Sequence, residues 1–372
     1  MKRRTFVKIG VVAGAGLALG VGWRVTRGPG VPPTDAAFAP NAFLRIGTDG
    51  TIRVVVDRSE MGQGVATALP QLVAEELDVA WEQVTFEFAP AHGAYGAGGM
   101  MVTGGSTSVA QSWIPLRRAG ATARAMLRQA AAAEWGVPAA DLSTRDGAVH
   151  APDGRTLPYG RLAEAASTLE VPEDVPLKEV SDFRVIGRSA PRLDVPAKVT
   201  GQAVFGVDAG PADARVAVIA RPPVFGTRVA SFDPAPALAV DGVDEVLEIS
   251  AGVAVVGRGY VEAKAGRDAL AVSWTGPDGP LLDDAAIFEH LREEAVAGGR
   301  AVREDGDVET AMAGTEPDLD VEYVLPYLAH APMGPMNCTA VVEDGHCTVW
   351  APTQFQNAPA VVGGGARQVA AA

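Results

Sequence analysis

Residues 59–77 read SEMGQGVATALPQLVAEEL, a methionine and a glutamine framed by Gly62 and Gly64 and followed by an amphipathic run. Leu69, Leu72, Val73, Glu76 and Leu77 recur at helical spacing, so a helix is expected to begin near Val65 to Leu69, with Pro70 tolerable only in its first turn. Upstream, FLRIGTDGTIRVVVD reads as two strands joined at Asp49-Gly50, the signal of a type I′ hairpin. The glycine-framed loop therefore links a strand to a helix.

Working outward, VTFEFAP reads as a further short strand, and Thr103 to Ser108 (TGGSTS) precede a long helix rich in alanine and arginine. Glycines and hydroxyls just before a helix leave N–H groups unpaired at the positive end of its dipole, which suits a phosphate; a plain Ser/Thr cap is the alternative. RDGAVHAPDGRTLPYGRLAEAA reads as a small hairpin and a helix, and STLEVPEDVPLKEVSD as a polar connector. From Phe183 to about Trp274, β-branched strands alternate with short helical patterns, which suggests a compact α/β domain. A second linker, TGPDGPLLDD, opens the last part. There a hairpin turning at Asp344-Gly345 leads to a loop bearing Gln354, an echo of the plan that places Gln63. The helical pattern at the end of the chain has no stop signal, and a longer protein is expected from it.

The 372 residues and 48% hydrophobic content suffice for a sizeable core and for two or three domains. Net charge is −14, while the first thirty residues hold six of the 31 basic side chains and no acidic one. The body is thus strongly acidic, which argues against a nucleic-acid partner. Residues 1–39 read as an export signal and linker: Arg3-Arg4 precede an uncharged apolar run from Ile9 to Trp23, too short for a comfortable span. The pair resembles the twin-arginine signal and points to the periplasm or the periplasmic face of the cytoplasmic membrane. A Sec-type signal or an uncleaved anchor is the alternative. Cys338 and Cys347 flank the Asp344-Gly345 turn, as two small strand residues or a cross-strand disulfide.

Five separated stretches, EMGQGVATALPQLVAEEL, TGGSTSVAQSW, RVIGRSAPRLDVPAKVTGQAVFGVD, ARPPVFG and YLAHAPMGPMNCTAVVEDGHCTVWAPTQ, occur in an order that resembles the molybdopterin-binding large subunit of the xanthine dehydrogenase/aldehyde oxidase family, of the isoquinoline 1-oxidoreductase beta-subunit type. The resemblance runs from about Asn41 to the last residue. It implies an α+β fold with α/β character: a molybdopterin-binding segment at 40–170, an inserted hammerhead α/β domain at 183–276, and the start of the main molybdopterin-binding domain, truncated, at 280–372. It implies that Met61, Gly62, Gln63 and Gly64 lie against the pterin of a molybdenum–molybdopterin cofactor. Gly105, Ser106, Thr107 and Ser108 would hold the pyrophosphate of its cytosine dinucleotide form. Gln354 would hydrogen-bond a terminal ligand of the molybdenum.

The implied activity is that of an exported molybdenum hydroxylase, oxidising aldehydes or N-heterocycles with oxygen from water. The alternative is a non-catalytic cofactor-binding or assembly protein of the same fold. In the resembled family the catalytic glutamate lies near the C-terminus of the large chain, so no catalytic residue is expected here, and Glu60 is a poor substitute, set at a strand end ahead of the glycines. Gly334 stands where relatives commonly carry glutamate. His330 is expected as a packed strand-end residue. Two cysteines cannot hold a pair of [2Fe–2S] clusters, which implies a small iron–sulfur partner subunit, with a cytochrome c as a further candidate acceptor.

Overall fold

The computed structural model describes residues 38–90, 92, 94–96, 99–277, 279 and 282–356. The twin-arginine segment and the expected helix at the end of the chain lie outside them. The chain divides into two compact units: one extends to Val204 and takes up the chain again at Thr353, and the other runs from Phe205 to Pro352. Helices and sheets are mixed in an α+β fold. Among the described residues no helix is long and apolar enough to cross a membrane.

In the first unit, β1 (Phe38–Asn41), β2 (Leu44–Ile46), β3 (Ile52–Val56) and β4 (Val84–Phe88) form one sheet in that order. β2 and β3 pair antiparallel, but β3 and β4 pair parallel, which needs a crossover. Helix α1 (Val65–Leu77) supplies it, and the glycine-framed loop is the turn from β3 into α1. The β2–β3 hairpin forms as expected; its turn does not. Of Asp49 and Gly50 only Gly50 has positive φ, whereas a type I′ turn needs both. The connection instead closes with Gly47 N donating to Thr51 O, and Asp49 Oδ1 accepts from Thr51 N.

Because α1 starts at Val65, Pro70 lies beyond the first turn to which the sequence pattern confined it, and eleven of the thirteen residues of α1 are buried, Pro70 among them. Burial on nearly every face compensates for the backbone bond that proline cannot donate. Helix α2 (Ser108–Trp135) packs along α1 so closely that a Cβ on Gly120 would lie 2.5 Å from Val73 O. A small sheet of β5 (Ser143–Arg145), β6 (Ala148–His150) and β7 (Thr156–Pro158) precedes α3 (Tyr159–Ser167), whose Tyr159 hydroxyl donates to Leu77 O at 2.7 Å.

The polar connector is not a free linker. Glu75 and Glu76 have no exposed side-chain area. Arg117 and Arg124 reach Glu76, while Lys178 Nζ lies 3.0 Å from Glu75 and 2.6 Å from Asp78. The N–H groups of Arg184, Val185 and Ile186 all donate to Glu75 Oε2. Residues 183–204, read in the sequence as the opening of the middle domain, thus belong with the first unit, which also contains a short helix α4 (Val195–Val199).

The second unit holds β8 (Val216–Ala220), β9 (Arg228–Asp233), α5 (Ala235–Leu238), β10 (Val243–Ile249), β11 (Gly252–Gly257), α6 (Tyr260–Ala269) and β12 (Ala271–Thr275). Strands and helices alternate as expected, yet β10–β11–β8 and β9–β12 pair only antiparallel, so this region is not a parallel α/β layer. Helices α7 (Asp284–Ala297) and α8 (Val308–Met312) follow, each started by an aspartate whose side chain accepts a backbone N–H.

The last hairpin, β13 (Thr339–Glu343) and β14 (His346–Trp350), turns at Asp344 and Gly345, both at positive φ, the type I′ geometry that 49–50 lacks. Cys347 stands opposite Val342, and Cys338 precedes the ladder; both thiols are free and exposed, which removes the disulfide alternative. His330 is exposed and belongs to no strand, contrary to the packed strand-end position expected.

Candidate functional site

Three segments of the first unit meet beyond the C-terminal end of β3. Ser59 N donates to Thr103 Oγ1 at 2.8 Å, and Ser59 Oγ donates to Thr353 O at 2.7 Å. Thr103 N donates to Gln354 O at 2.8 Å, and Val102 bridges Phe355 antiparallel. The Gln63 loop, the Thr103–Ser108 loop and the Gln354 segment are therefore tied together through Ser59 and Thr103, across separations of 44 and 251 residues.

Each segment disposes of its polar groups differently. Gln63 turns its amide back on its own loop: Oε1 accepts from Met61 N at 2.6 Å and Nε2 donates to Ser59 O at 2.8 Å. Glu60, whose side chain is 5% exposed, arches over the glycines, where its carboxylate accepts from Gly62 N, Gly64 N and Ala66 N. It thereby fills the N-terminus of α1 with negative charge. A carboxylate so engaged, with Arg192 also 3.1 Å away, is a cap and not a free base. Gly64 enters the helix at φ 93, a conformation that glycine adopts without a Cβ penalty.

Apart from Thr107, the Gly104–Ser108 loop leaves its donors unspent among the described residues. Gly105 and Ser106 both have positive φ, and Thr107 Oγ1 donates to Gly104 O at 2.9 Å. Among the described residues the N–H groups of Gly104, Gly105, Ser106 and Ser108 meet no acceptor, and neither do the Ser106 and Ser108 hydroxyls. The first turn of α2 carries no acidic residue. Successive N–H groups at a helix start with two hydroxyls suit an anion. Beneath this mouth Arg58, 2% exposed, is paired with Asp57 at 3.2 Å and reaches Gln111 in α2.

Gln354 is a staple in the fold. Its Nε2 donates to Thr103 O at 2.7 Å, which leaves Oε1 and one N–H for other partners. Met61, Gly62, Gln63, Gly105, Ser106 and Gln354 are exposed, while Gly64, Thr107 and Ser108 are less so. The roles of Glu60, Ser59 and Thr103 do not follow from the sequence pattern. For Glu60 the one local signal is an acid shortly before a helix start. No local pattern announces that Ser59 and Thr103 touch.

The molybdopterin cofactor-binding domain family matches residues 6–210, more than half of the chain. A nicotinate dehydrogenase subunit of Pseudomonas putida is 34% identical over 87% of this chain and 28% of its own length. The isoquinoline 1-oxidoreductase beta chain of Brevundimonas diminuta is 33% identical over 87% of this chain and 48% of its own. A membrane-bound aldehyde dehydrogenase of Gluconacetobacter polyoxogenes, named for pyrroloquinoline quinone, is 31% identical over 87% and 44%. The chain thus spans about half or less of the length of these relatives. With glycine-framed loops brought together at the end of β3 and the family matched across that whole region, the chain belongs to the molybdopterin-binding subunits of the xanthine dehydrogenase family.

Proposed function

We propose that this chain supplies part of the cofactor pocket of an exported molybdenum hydroxylase that oxidises aldehydes or N-heterocycles with water-derived oxygen. The observation that carries the reading is the meeting of the Gln63, Ser106 and Gln354 segments through Ser59 and Thr103. The residues fit molybdopterin in a specific way. The unspent N–H groups and hydroxyls of Gly105, Ser106 and Ser108, with the positive-φ turn at Gly105 and Ser106, suit the pyrophosphate of the cytosine dinucleotide form. A Cβ added at Gly62 or Gly64 would meet nothing within 4 Å, so the backbone there is open to a flat ring, with Met61 supplying soft contact. The Gln63 amide makes two bonds within its own loop, one as donor and one as acceptor, so we assign it to shaping that backbone, with its second N–H left toward the cofactor. For Gln354 we propose that the free Oε1 and N–H face the cofactor.

When bound, the cofactor supplies the redox chemistry at its metal. The chain's own residues hold and orient it; we assign no catalytic base among the described residues. Substrate class rests on the relatives' names, two of which specify an N-heterocycle and the third an aldehyde. Two cysteines fall short of the four thiolates a [2Fe–2S] cluster takes, so we assign electron transfer to a small iron–sulfur partner subunit and a cytochrome c beyond it. Export by the twin-arginine pathway to the periplasm rests on Arg3-Arg4 and the apolar run after them.

The test is metal and nucleotide analysis of the protein purified from its own host with its partners. Near-stoichiometric molybdenum and cytidylate, with dye-linked oxidation of an aldehyde or N-heterocycle, are expected. A complex free of both metal and nucleotide overturns the proposal.

A further inference from the structure

We propose that Arg192 is a positioning residue for the Met61–Gly64 loop, holding through Glu60 and Gly62 the backbone that faces the cofactor; the cofactor half of this inference rests on the function proposed above. Arg192 comes 130 residues after the loop, yet its Nη1 donates to Gly62 O at 2.9 Å and its Nη2 to Glu60 Oε1 at 3.1 Å. The other edge of the guanidinium is fixed by Asp194, with Nε to Oδ1 at 2.9 Å and Nη2 to Oδ2 at 2.7 Å. Asp194 is 6% exposed and is held in turn by Lys198 at 2.6 Å. Next to the arginine, Leu193 N donates to Thr67 Oγ1 in α1 at 3.0 Å. One planar group with five donors thus spans a buried carboxylate on one edge and the loop on the other, which lysine's single ammonium cannot do.

A helix cap alone does not account for this arrangement. Glu60 already accepts the N–H groups of Gly62, Gly64 and Ala66. The bond to Gly62 O goes to the loop tip, outside the helix. Met61, Gly62 and Gln63 are exposed, so burial does not fix their conformation; polar bonds do. Most of those bonds close within the loop itself, whereas the one from Arg192 ties its backbone to a segment distant in sequence.

The experiment uses the assembled complex with three substitutions, Arg192→Met, Arg192→Lys and Asp194→Asn. Amide exchange over residues 59–66, retained molybdenum and cytidylate, and the Mo(V) paramagnetic spectrum are followed in each. Arg192→Met is expected to speed exchange in that stretch on the order of tenfold while leaving β3 unchanged. It should also shift the spectrum and reduce retained cofactor. Arg192→Lys, which keeps the charge but not the span, should move all three readouts the same way by less, and Asp194→Asn, which leaves the arginine in place, by less again. If Arg192→Met does not fold, the lysine variant carries the test. Unchanged exchange overturns the proposal, and so does faster exchange with a wild-type spectrum and full cofactor content, which reduces Arg192 to a structural tie. Wild-type protein without molybdenum overturns the cofactor reading separately, because loop exchange is followed in the same samples without reference to metal.

Discussion

The Ser59–Val65 loop and the Thr103–Ser108 loop share a composition and a place in the fold. Both are glycine-rich, both lead into a helix of the first unit, and Ser59 N donates to Thr103 Oγ1 to join them. Yet the first spends the N–H groups of Met61, Gly62, Gly64 and Ala66 on Gln63 and Glu60, whereas the second leaves those of Gly104, Gly105, Ser106 and Ser108 without an acceptor among the described residues. Glycines before a helix therefore do not make an anion site by themselves. What decides it is whether a carboxylate of the chain reaches the helix mouth first. Glu60 does so at α1, and the first turn of α2 has no counterpart.

Breaking that difference at Glu60 should have the largest effect. Glu60→Ala strips the acceptor from three backbone donors and from Arg192, a loss on the order of 3 kcal/mol in urea denaturation. It should also make the start of α1 behave like that of α2, so that sulfate stabilises the variant more than the wild type. An equal response to sulfate in both proteins would show that the two mouths differ for another reason.

Acid tests the carboxylates at the other end of α1. Burial by itself would raise the Glu75 carboxyl, but the N–H groups of Ile186 and Val185, with Lys178 and Arg184 N, outweigh it and hold the group below its ordinary value of 4.5. The unfolded chain therefore binds the proton first. Stability from Glu75 is complete above 4.5 and is lost as pH falls through the lower folded value. Denaturation midpoints followed downward from about pH 6 should fall in the wild type, and Glu75→Gln should flatten that limb.

Gly64→Ala sharpens the contrast on a smaller scale. At φ 93 an alanine is strained, though its Cβ would meet nothing within 4 Å, so the cost is conformational and about 1 kcal/mol. Thermal unfolding should register it, and because the new Cβ stands in the space proposed for the pterin, retained cofactor should fall as well.

Much of the architecture is legible locally. Strand β3 is β-branched throughout its buried run, and the 3.6-residue spacing that announces α1 places Glu76 on the face that proves to be fully buried. Its partners are not legible, because Arg117, Arg124 and Lys178 arrive from 41 or more residues away and through tertiary packing alone. Turn chemistry succeeds at one site and fails at the other for a physical reason. Asp-Gly adopts the type I′ turn at 344–345, where the two strands pair right up to Glu343 and His346, but at 49–50 the ladder stops at Ile46 and Ile52 and a longer loop closes through Gly47. At the site, the glycines and hydroxyls show in the sequence as a pattern of donors. Which donors are already taken does not show, since that depends on where Glu60, Gln63 and Arg192 place their side chains.

Ser106→Asp tests most directly whether the mouth of α2 holds the cofactor's phosphates. Ser106 already sits at φ 56, a conformation aspartate tolerates, so stability should change by no more than about 0.5 kcal/mol. The new carboxylate gives this mouth what Glu60 gives the other. Cytidylate released from the assembled complex should fall to a small fraction of the wild-type amount, with Ser106→Ala keeping most of it. Full cytidylate in a folded Ser106→Asp complex would contradict the assignment.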